Sequence, residues 1–132
     1  MHWSWLKKQS LNPGDENTRA GDDFAARVYV IKDGGLFFWK TLVINYVWSF
    51  AHESGSVWAN PFAGKNAQMQ AQRDSTDPAG VWMTEKRHIV EDFKRLHGKT
   101  IKTIDAVAIM TDSDNSGLSA AAYYGDIYFT AE

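Results

Sequence analysis

The amino-acid sequence predicts an all-β fold, a jelly-roll-like antiparallel β-sandwich with one short α-helix near residues 85–97. Three observations carry this prediction. A length of 132 residues suits a single hydrophobic core, extended apolar segments follow one another along the chain, and only one stretch has helical spacing. Because no helices alternate with the strands, one sandwich domain over residues 1–132 is favoured over a βαβ fold.

The first strands are predicted by residues that alternate between two faces of a sheet. Residues 3–5 read Trp-Ser-Trp, and residues 25–31 place two Val and an Ala on one face. Between them, residues 11–23 are rich in Asn, Pro, Gly and Asp and are expected to form a loop. The Asp-Gly-Gly sequence at residues 33–35 predicts a tight hairpin, and the long returning strand is expected to break near residues 39–40.

The second half of the chain holds the helix between further strands. Residues 67–72 alternate apolar side chains with Gln, which is typical of a half-solvated strand. Thr84 is the candidate N-cap of the helix and Gly98 its C-terminal stop. Residues 101–110 are apolar on both faces, which predicts a buried strand, and residues 120–130 are expected to form the last strand.

Composition and charge exclude several classes of function. A net charge of −2 gives no overall field that would attract nucleic acid, so no nucleic-acid partner is expected. The absence of Cys excludes disulfides and thiolate metal sites. The longest apolar stretch, residues 43–51, is too short to span a bilayer, and residues 1–8 do not read as a signal peptide. We therefore expect a soluble chain with no membrane partner.

Five ordered segments carry a resemblance to a known family. They are residues 21–29, 45–48, 82–87, 109–117 and 122–127. Together they resemble the bacterial domain of unknown function DUF3047, and the likeness runs from Gly21 to Phe129. The resemblance implies a galactose-binding-like jelly roll whose last strand is similar to that of several carbohydrate-binding modules. It also implies an exported or periplasmic protein.

Members of that family typically continue upstream with an export signal and further strands. The chain is therefore expected to lack N-terminal strands of the full family domain, which leaves a sheet edge uncovered. Because an uncovered hydrophobic edge pairs readily with another strand, we expect a homo-oligomer formed through that edge.

A glycan or another polyhydroxylated ligand is the expected partner of a non-catalytic domain of this kind. Exposed aromatic rings can stack on the apolar face of a sugar, and charged side chains can hydrogen-bond its hydroxyls. Trp82 is one stacking candidate, and Trp58, in a turn-rich segment, is the best candidate for a partly exposed Trp. The predicted ligand-binding residues are Asp23, Arg27, Trp48, Trp58, Tyr124 and Asp126.

Other interpretations of the same residues stay open at this point. The charged residues can form a structural ion pair, and most of the aromatic residues belong in the core. Two carboxylates could instead serve as the acid and base of a carbohydrate-active enzyme. A structural or assembly domain is the third possibility, which a large exposed apolar patch would favour. The enzyme hypothesis draws its pair from Asp112, Asp114, Glu85 and Asp126.

No cofactor, metal site or catalytic residue is predicted. Residues 112–117 begin like a calcium-binding loop, but the twelfth position is Tyr123 rather than the required Glu. A turn between strands is therefore the favoured interpretation of this segment.

Overall fold

The computed structural model describes residues 1–8, 14, 16–19, 24–111 and 121–131. The described residues form eight strands and one α-helix. In chain order these are β1 (His2–Lys7), β2 (Arg27–Lys32), β3 (Leu42–Trp48), β4 (Val57–Asn60), β5 (Gly64–Arg73), β6 (Met83–Lys86), α1 (Ile89–His97), β7 (Ala106–Met110) and β8 (Ala122–Tyr124). Within these ranges, no helix has the length and apolar character needed to cross a bilayer.

The strands form two sheets, which confirms the predicted all-β sandwich. The small sheet has the order β6-β1-β8, and the large sheet has the order β4-β5-β3-β2-β7. All paired strands are antiparallel except β3 and β5, which run parallel. The expectation of a wholly antiparallel sandwich is therefore wrong at this pair. The chain leaves β3, forms β4 at the sheet edge and then turns back between the two, so β5 takes the direction of β3.

The core lies between the two sheets and under the helix. Trp3 and Trp5 of β1 are fully buried, and their rings contact Tyr46 and Trp48 of β3 at centroid distances of 5.5 and 5.7 Å. Alternation along β1 buries one side of the strand, as the Trp-Ser-Trp pattern predicts. The predicted inward face of β2 is also confirmed, since Ala26, Val28 and Val30 join the same core.

Helix α1 begins four residues later than the predicted helix. His88 is the N-cap, and its imidazole accepts a hydrogen bond from the backbone N–H of Glu91. Thr84, the predicted cap, instead lies in β6 opposite Ser4 of β1, so pairing across the sheet overrides the local capping signal. Gly98 ends the helix with a φ of 67°, as predicted, and its N–H donates to the carbonyl of Lys94.

Two predictions about strands are wrong. The connection between β2 and β3 covers residues 33–41 and is not a tight hairpin. A short 3₁₀ turn at Phe38–Lys40 gives the expected break, but it precedes β3. The segment predicted to be a buried strand forms only β7, which is an exposed edge of the large sheet in the described part of the chain. The apolar residues on both faces of residues 106–110 therefore belong to an edge strand rather than to a central one.

Candidate ligand-binding face

The predicted aromatic platforms on the large sheet are not open to solvent. Trp48 is 3% exposed, and its Nε1 donates to the carbonyl of Asp74 at 3.1 Å. Trp58 is half-buried, because the His52 ring stacks flat on it at 3.7 Å and Phe24 lies on a neighbouring side. Trp58 is therefore only partly exposed, and Trp39 and Trp82 are more exposed, at 58% and 52%. A ligand cannot stack on either ring without displacing these neighbours.

Tyr124 has a structural position between the two sheets. Its hydroxyl accepts a hydrogen bond from the backbone N–H of Arg27 in β2 and donates one to the carbonyl of Met110 in β7. The side chain thereby ties β8 of the small sheet to two strands of the large sheet. A phenol fixed by these contacts is not a free stacking surface.

The predicted charged residues do not form one site in the described part of the chain. The Arg27 guanidinium is buried over the rings of Phe24 and Tyr29, at 4.8 and 5.4 Å from the ring centres. Asp126 is exposed and follows β8 in the small sheet, so these two predicted partners belong to different sheets. Asp23 lies outside the described residues.

The carboxylates of the enzyme hypothesis are not assembled into an acid–base pair among the described residues. Glu85 is buried and accepts hydrogen bonds from Trp5 Nε1 at 2.8 Å and from Arg73 Nε and Nη2 at 2.7 and 2.9 Å. This carboxylate holds β1, β5 and β6 together. Asp112 and Asp114, including the candidate calcium loop, fall in the undescribed segment. Among the positions that are described, no three His, Asp or Glu residues are grouped to hold a metal ion.

In the described part of the chain, the outer face of the small sheet is partly open to solvent. Because β1 buries Trp3 and Trp5, the side chains of His2, Ser4 and Leu6 point away from the core. Register continues this surface onto the neighbouring strands, with Ser4 opposite Thr84, Leu6 opposite Tyr123 and His2 bridged to Tyr128. We call this surface the aromatic face; its members are His2, Ser4, Leu6, Trp82, Thr84, Tyr123 and Tyr128.

Trp82 lies across the aromatic face over Gly125. A Cβ placed on Gly125 would lie 3.7 Å from Cζ3 of the indole and 3.3 Å from the Cβ of Ser4. A Cβ at Gly125 would therefore touch the indole at an ordinary van der Waals distance and crowd the Cβ of Ser4, so a larger side chain at this position would press on the ring. The Gly125 N–H donates to the carbonyl of Ser4 at 2.7 Å, which fixes the backbone under the ring. Trp82 keeps 52% of its surface exposed in this position.

Polar groups surround the exposed rings of the aromatic face. The hydroxyls of Ser4 and Thr84 are hydrogen-bonded to each other at 3.2 Å and are exposed. The His2 ring stacks on Tyr128 at 4.7 Å with an interplanar angle of 4°. Lys8 lies 5.7 Å from the centre of the Tyr123 ring. The face therefore combines flat apolar surfaces with donors and acceptors that a polyhydroxylated ligand can reach.

Sequence reasoning missed most of this face. Trp82 was a stacking candidate, but His2, Ser4, Tyr123 and Tyr128 were not predicted to contact a ligand. The alternation of residues 2–7 held a usable signal, since the polar and small residues between two buried Trp must face outward. Neighbouring strands could not be assigned from the sequence, because the order β6-β1-β8 joins segments distant in the chain.

The described residues also form a concavity whose lining is both polar and apolar. It has a volume of about 260 Å³ and lies beside the start of α1, where Ile89, Val90, Ile101, Ile104 and Phe129 are among its lining residues. Arg87, the guanidinium at its border, is held by Asp92 at 2.7 and 2.9 Å. One of the charged groups that line the concavity is therefore engaged in the fold, while Lys102 is another lining residue.

Comparison with known proteins places the chain in a family without adding an activity. No curated protein and no solved structure matches it. The model of one family, described as a protein of unknown function (DUF3047), matches residues 1–128. The match begins upstream of Gly21, where the sequence resemblance started, and includes β1 at the centre of the aromatic face. The chain therefore belongs to the DUF3047 family.

Proposed function

We propose that this protein is a non-catalytic β-sandwich that binds a glycan, or another polyhydroxylated ligand, on the aromatic face. The observation that carries the proposal is the position of Trp82, whose indole is half exposed and has its Cζ3 atom 3.7 Å from the place where a Cβ on Gly125 would lie. A rigid aromatic ring on a strand surface offers a large contact area at a small cost in conformational entropy.

The groups around Trp82 have the chemistry needed to bind a sugar. A pyranose presents one apolar side and a rim of hydroxyls, and Ser4 and Thr84 supply hydroxyls at the border of the indole. Tyr123 adds a second half-exposed ring opposite Leu6, and Asp126 is exposed directly after Gly125 in the chain. Stacking and neutral hydrogen bonds dominate this arrangement, so we expect binding that depends weakly on salt.

Replacement of Trp82 by Ala is expected to weaken polysaccharide binding about tenfold, equivalent to about 1.4 kcal/mol. Affinity electrophoresis with a panel of soluble polysaccharides measures this change. Trp39→Ala is the matched control, because Trp39 is similarly exposed, at 58%, but lies in the β2–β3 connection of the other sheet. Equal binding by the wild type and Trp82→Ala would contradict the proposal, as would a wild type that binds no member of the panel.

Gly125→Val provides a second, independent variant. A branched side chain at this position would meet the indole and displace it from the face. We expect the same loss of binding with little change in melting temperature, since the position lies at the surface of the sheet. If Gly125→Val bound polysaccharide as well as the wild type, the position of Trp82 over Gly125 would not be needed for binding, which would contradict this part of the proposal.

Self-association through a sheet edge is proposed for the large sheet. Strand β7 ends that sheet, and its residues Ile109 and Met110 keep much of their surface exposed. An edge of this kind can pair with the same strand of a second copy. Light scattering after gel filtration is expected to show a dimer in the wild type and a monomer in Ile109→Lys, because Lys at an edge blocks pairing. A wild type that is monomeric at micromolar concentration would overturn this proposal.

A further inference from the structure

Two neighbouring loops at one end of the large sheet expose large apolar side chains. The β2–β3 connection carries Leu36, Phe37 and Trp39, of which Leu36 is 94% exposed. The turn between β4 and β5 carries Phe62, which is 50% exposed. Since β3 and β5 are parallel neighbours, the segments that precede them lie at the same end of the sheet. Asn66 joins the two, because its Nδ2 donates to the carbonyl of Trp39 at 2.9 Å.

Internal hydrogen bonds and ring contacts stabilise the β2–β3 connection, whose apolar side chains are exposed. The Gly34 N–H donates to Thr41 Oγ1 at 3.1 Å, and the Lys40 N–H donates to the carbonyl of Phe37 at 2.8 Å. A Cβ at Gly34 would overlap the backbone of Phe37, so the loop closes tightly there. The rings of Phe37 and Trp39 pack edge to face at 5.3 Å. These contacts fix the loop in one shape while Leu36 extends into solvent.

Cationic side chains lie next to the exposed rings of Phe37 and Phe62. Lys40 lies 4.9 Å from the centre of the Phe37 ring, and Arg19 lies 5.5 Å from that of Phe62. Lys65, next to Asn66, is exposed as well. The acidic groups nearby are Asp33, which accepts a hydrogen bond from the Gly35 N–H, and Asp105, which pairs with Lys32 at 3.6 Å. The surface around the rings is therefore locally basic in a chain whose net charge is −2.

From this geometry we propose that the two loops form a membrane-contact tip, which inserts Leu36, Phe37, Trp39 and Phe62 into the interface of a bilayer that carries anionic lipid. Leu and aromatic side chains partition into the interfacial zone, and Lys and Arg beside them meet the phosphate groups. The sequence expectation of no membrane partner rested on the lack of a spanning segment, which a surface contact does not require. A protruding tip with interspersed cations suits a lipid surface better than the flat, self-complementary patch of a dimer.

Co-sedimentation with vesicles tests the tip. The wild type is expected to bind vesicles of mixed phosphatidylcholine and phosphatidylserine, and Leu36→Glu should reduce that binding about tenfold. Because Leu36 is almost fully solvated, this substitution leaves the fold intact, which circular dichroism checks. Lys40→Ala should reduce binding about fivefold on the mixed vesicles and have little effect on phosphatidylcholine alone. Trp82→Ala is the matched control and should bind vesicles like the wild type.

Three outcomes would overturn the proposal. The first is a wild type that sediments with neither kind of vesicle. The second is Leu36→Glu binding as strongly as the wild type. The third is a wild-type dimer in sedimentation velocity that Leu36→Glu converts to a monomer without vesicles present, which would assign the tip to a contact between copies. A blue shift of Trp fluorescence on vesicle addition, absent in Trp39→Ala, would support insertion of the tip.

Discussion

Replacing Asp92 with Ala is expected to lower the free energy of unfolding by about 3 kcal/mol, near the lower end of the range for breaking a buried ion pair. The buried carboxylate accepts hydrogen bonds from the Tyr46 hydroxyl at 2.5 Å, from Arg87 at 2.7 and 2.9 Å and from Arg95 at 2.9 Å. Without it, the phenol loses its partner in the core and Arg87 keeps an uncompensated charge. Arg87 is about a quarter exposed, so partial rehydration limits the loss.

Urea unfolding followed by circular dichroism measures this change. Arg95→Ala is the matched control, because it removes an Arg from the same carboxylate but its side chain is 47% exposed. We expect Arg95→Ala to lower stability by less than about 1 kcal/mol. If both variants lost the same stability, the burial of the Asp92–Arg87 pair would not be the source of the effect.

The same carboxylate predicts a dependence of stability on pH. Burial by itself raises the pKa of Asp92, but hydrogen bonds from Arg87, Tyr46 and Arg95 outweigh it and hold the pKa below its ordinary value. A folded-state pKa below the unfolded one means that the unfolded state binds the proton first as pH falls. The stability that Asp92 contributes is therefore complete above the ordinary carboxyl pKa, about 3.9, and is lost as pH falls through the lower folded value. The stability difference between the wild type and Asp92→Asn should shrink over that acidic range; a difference that stays constant would contradict this assignment.

A second large effect is expected from the two Trp residues of β1. Trp5→Phe should lower the free energy of unfolding by about 1.5–3 kcal/mol more than Trp3→Phe. Trp5 Nε1 donates to the Glu85 carboxylate at 2.8 Å, whereas Trp3 Nε1 is buried and has no hydrogen-bond partner among the described residues. Both rings are fully buried in the same core. The two substitutions remove the same atoms, so their difference combines the loss of the charged hydrogen bond at Trp5 with the removal of the unsatisfied donor at Trp3.

Chemical denaturation of the two variants gives this comparison directly. Trp3→Phe is expected to be tolerated well, since it removes a donor that burial leaves unsatisfied. Glu85→Gln in the Trp3→Phe and Trp5→Phe backgrounds completes a double-mutant cycle. Coupling between positions 5 and 85 should exceed coupling between positions 3 and 85, because Trp3 lies directly opposite Glu85 but only Trp5 donates a hydrogen bond to its carboxylate. Equal losses in Trp3→Phe and Trp5→Phe would show that ring volume, rather than the hydrogen bond, decides the stability of β1.

Local sequence patterns predicted the structure correctly at positions whose conformation depends mainly on residues nearby in the chain. The Trp-Ser-Trp alternation predicted the buried side of β1, and Gly98 predicted the end of the helix, because each depends on backbone geometry within a few residues. Thr84 shows the opposite case. As an isolated signal it is a good N-cap, but pairing with Ser4, distant in the chain, holds it in a strand.

The candidate site was harder to predict for the same reason. Trp48, Trp58 and Tyr124 have the residue types of a ligand-contacting set, yet packing, a stacked His and a pair of inter-sheet hydrogen bonds occupy them. Among the predicted stacking candidates, the half-exposed Trp is Trp82, which lies close to Gly125. These two residues meet across β1, a contact that neither local segment reveals.

The sequence by itself determined the all-β class and the alternation along β1 and β2 through its periodicity, and the family through its five ordered segments, since these are properties of the chain alone. Tertiary structure decided the strand order, the parallel β3–β5 pair and which aromatic rings reach solvent. The physical reason is that exposure depends on what packs against a residue from elsewhere in the chain. For this protein those partners come from strands joined only in the folded sheets.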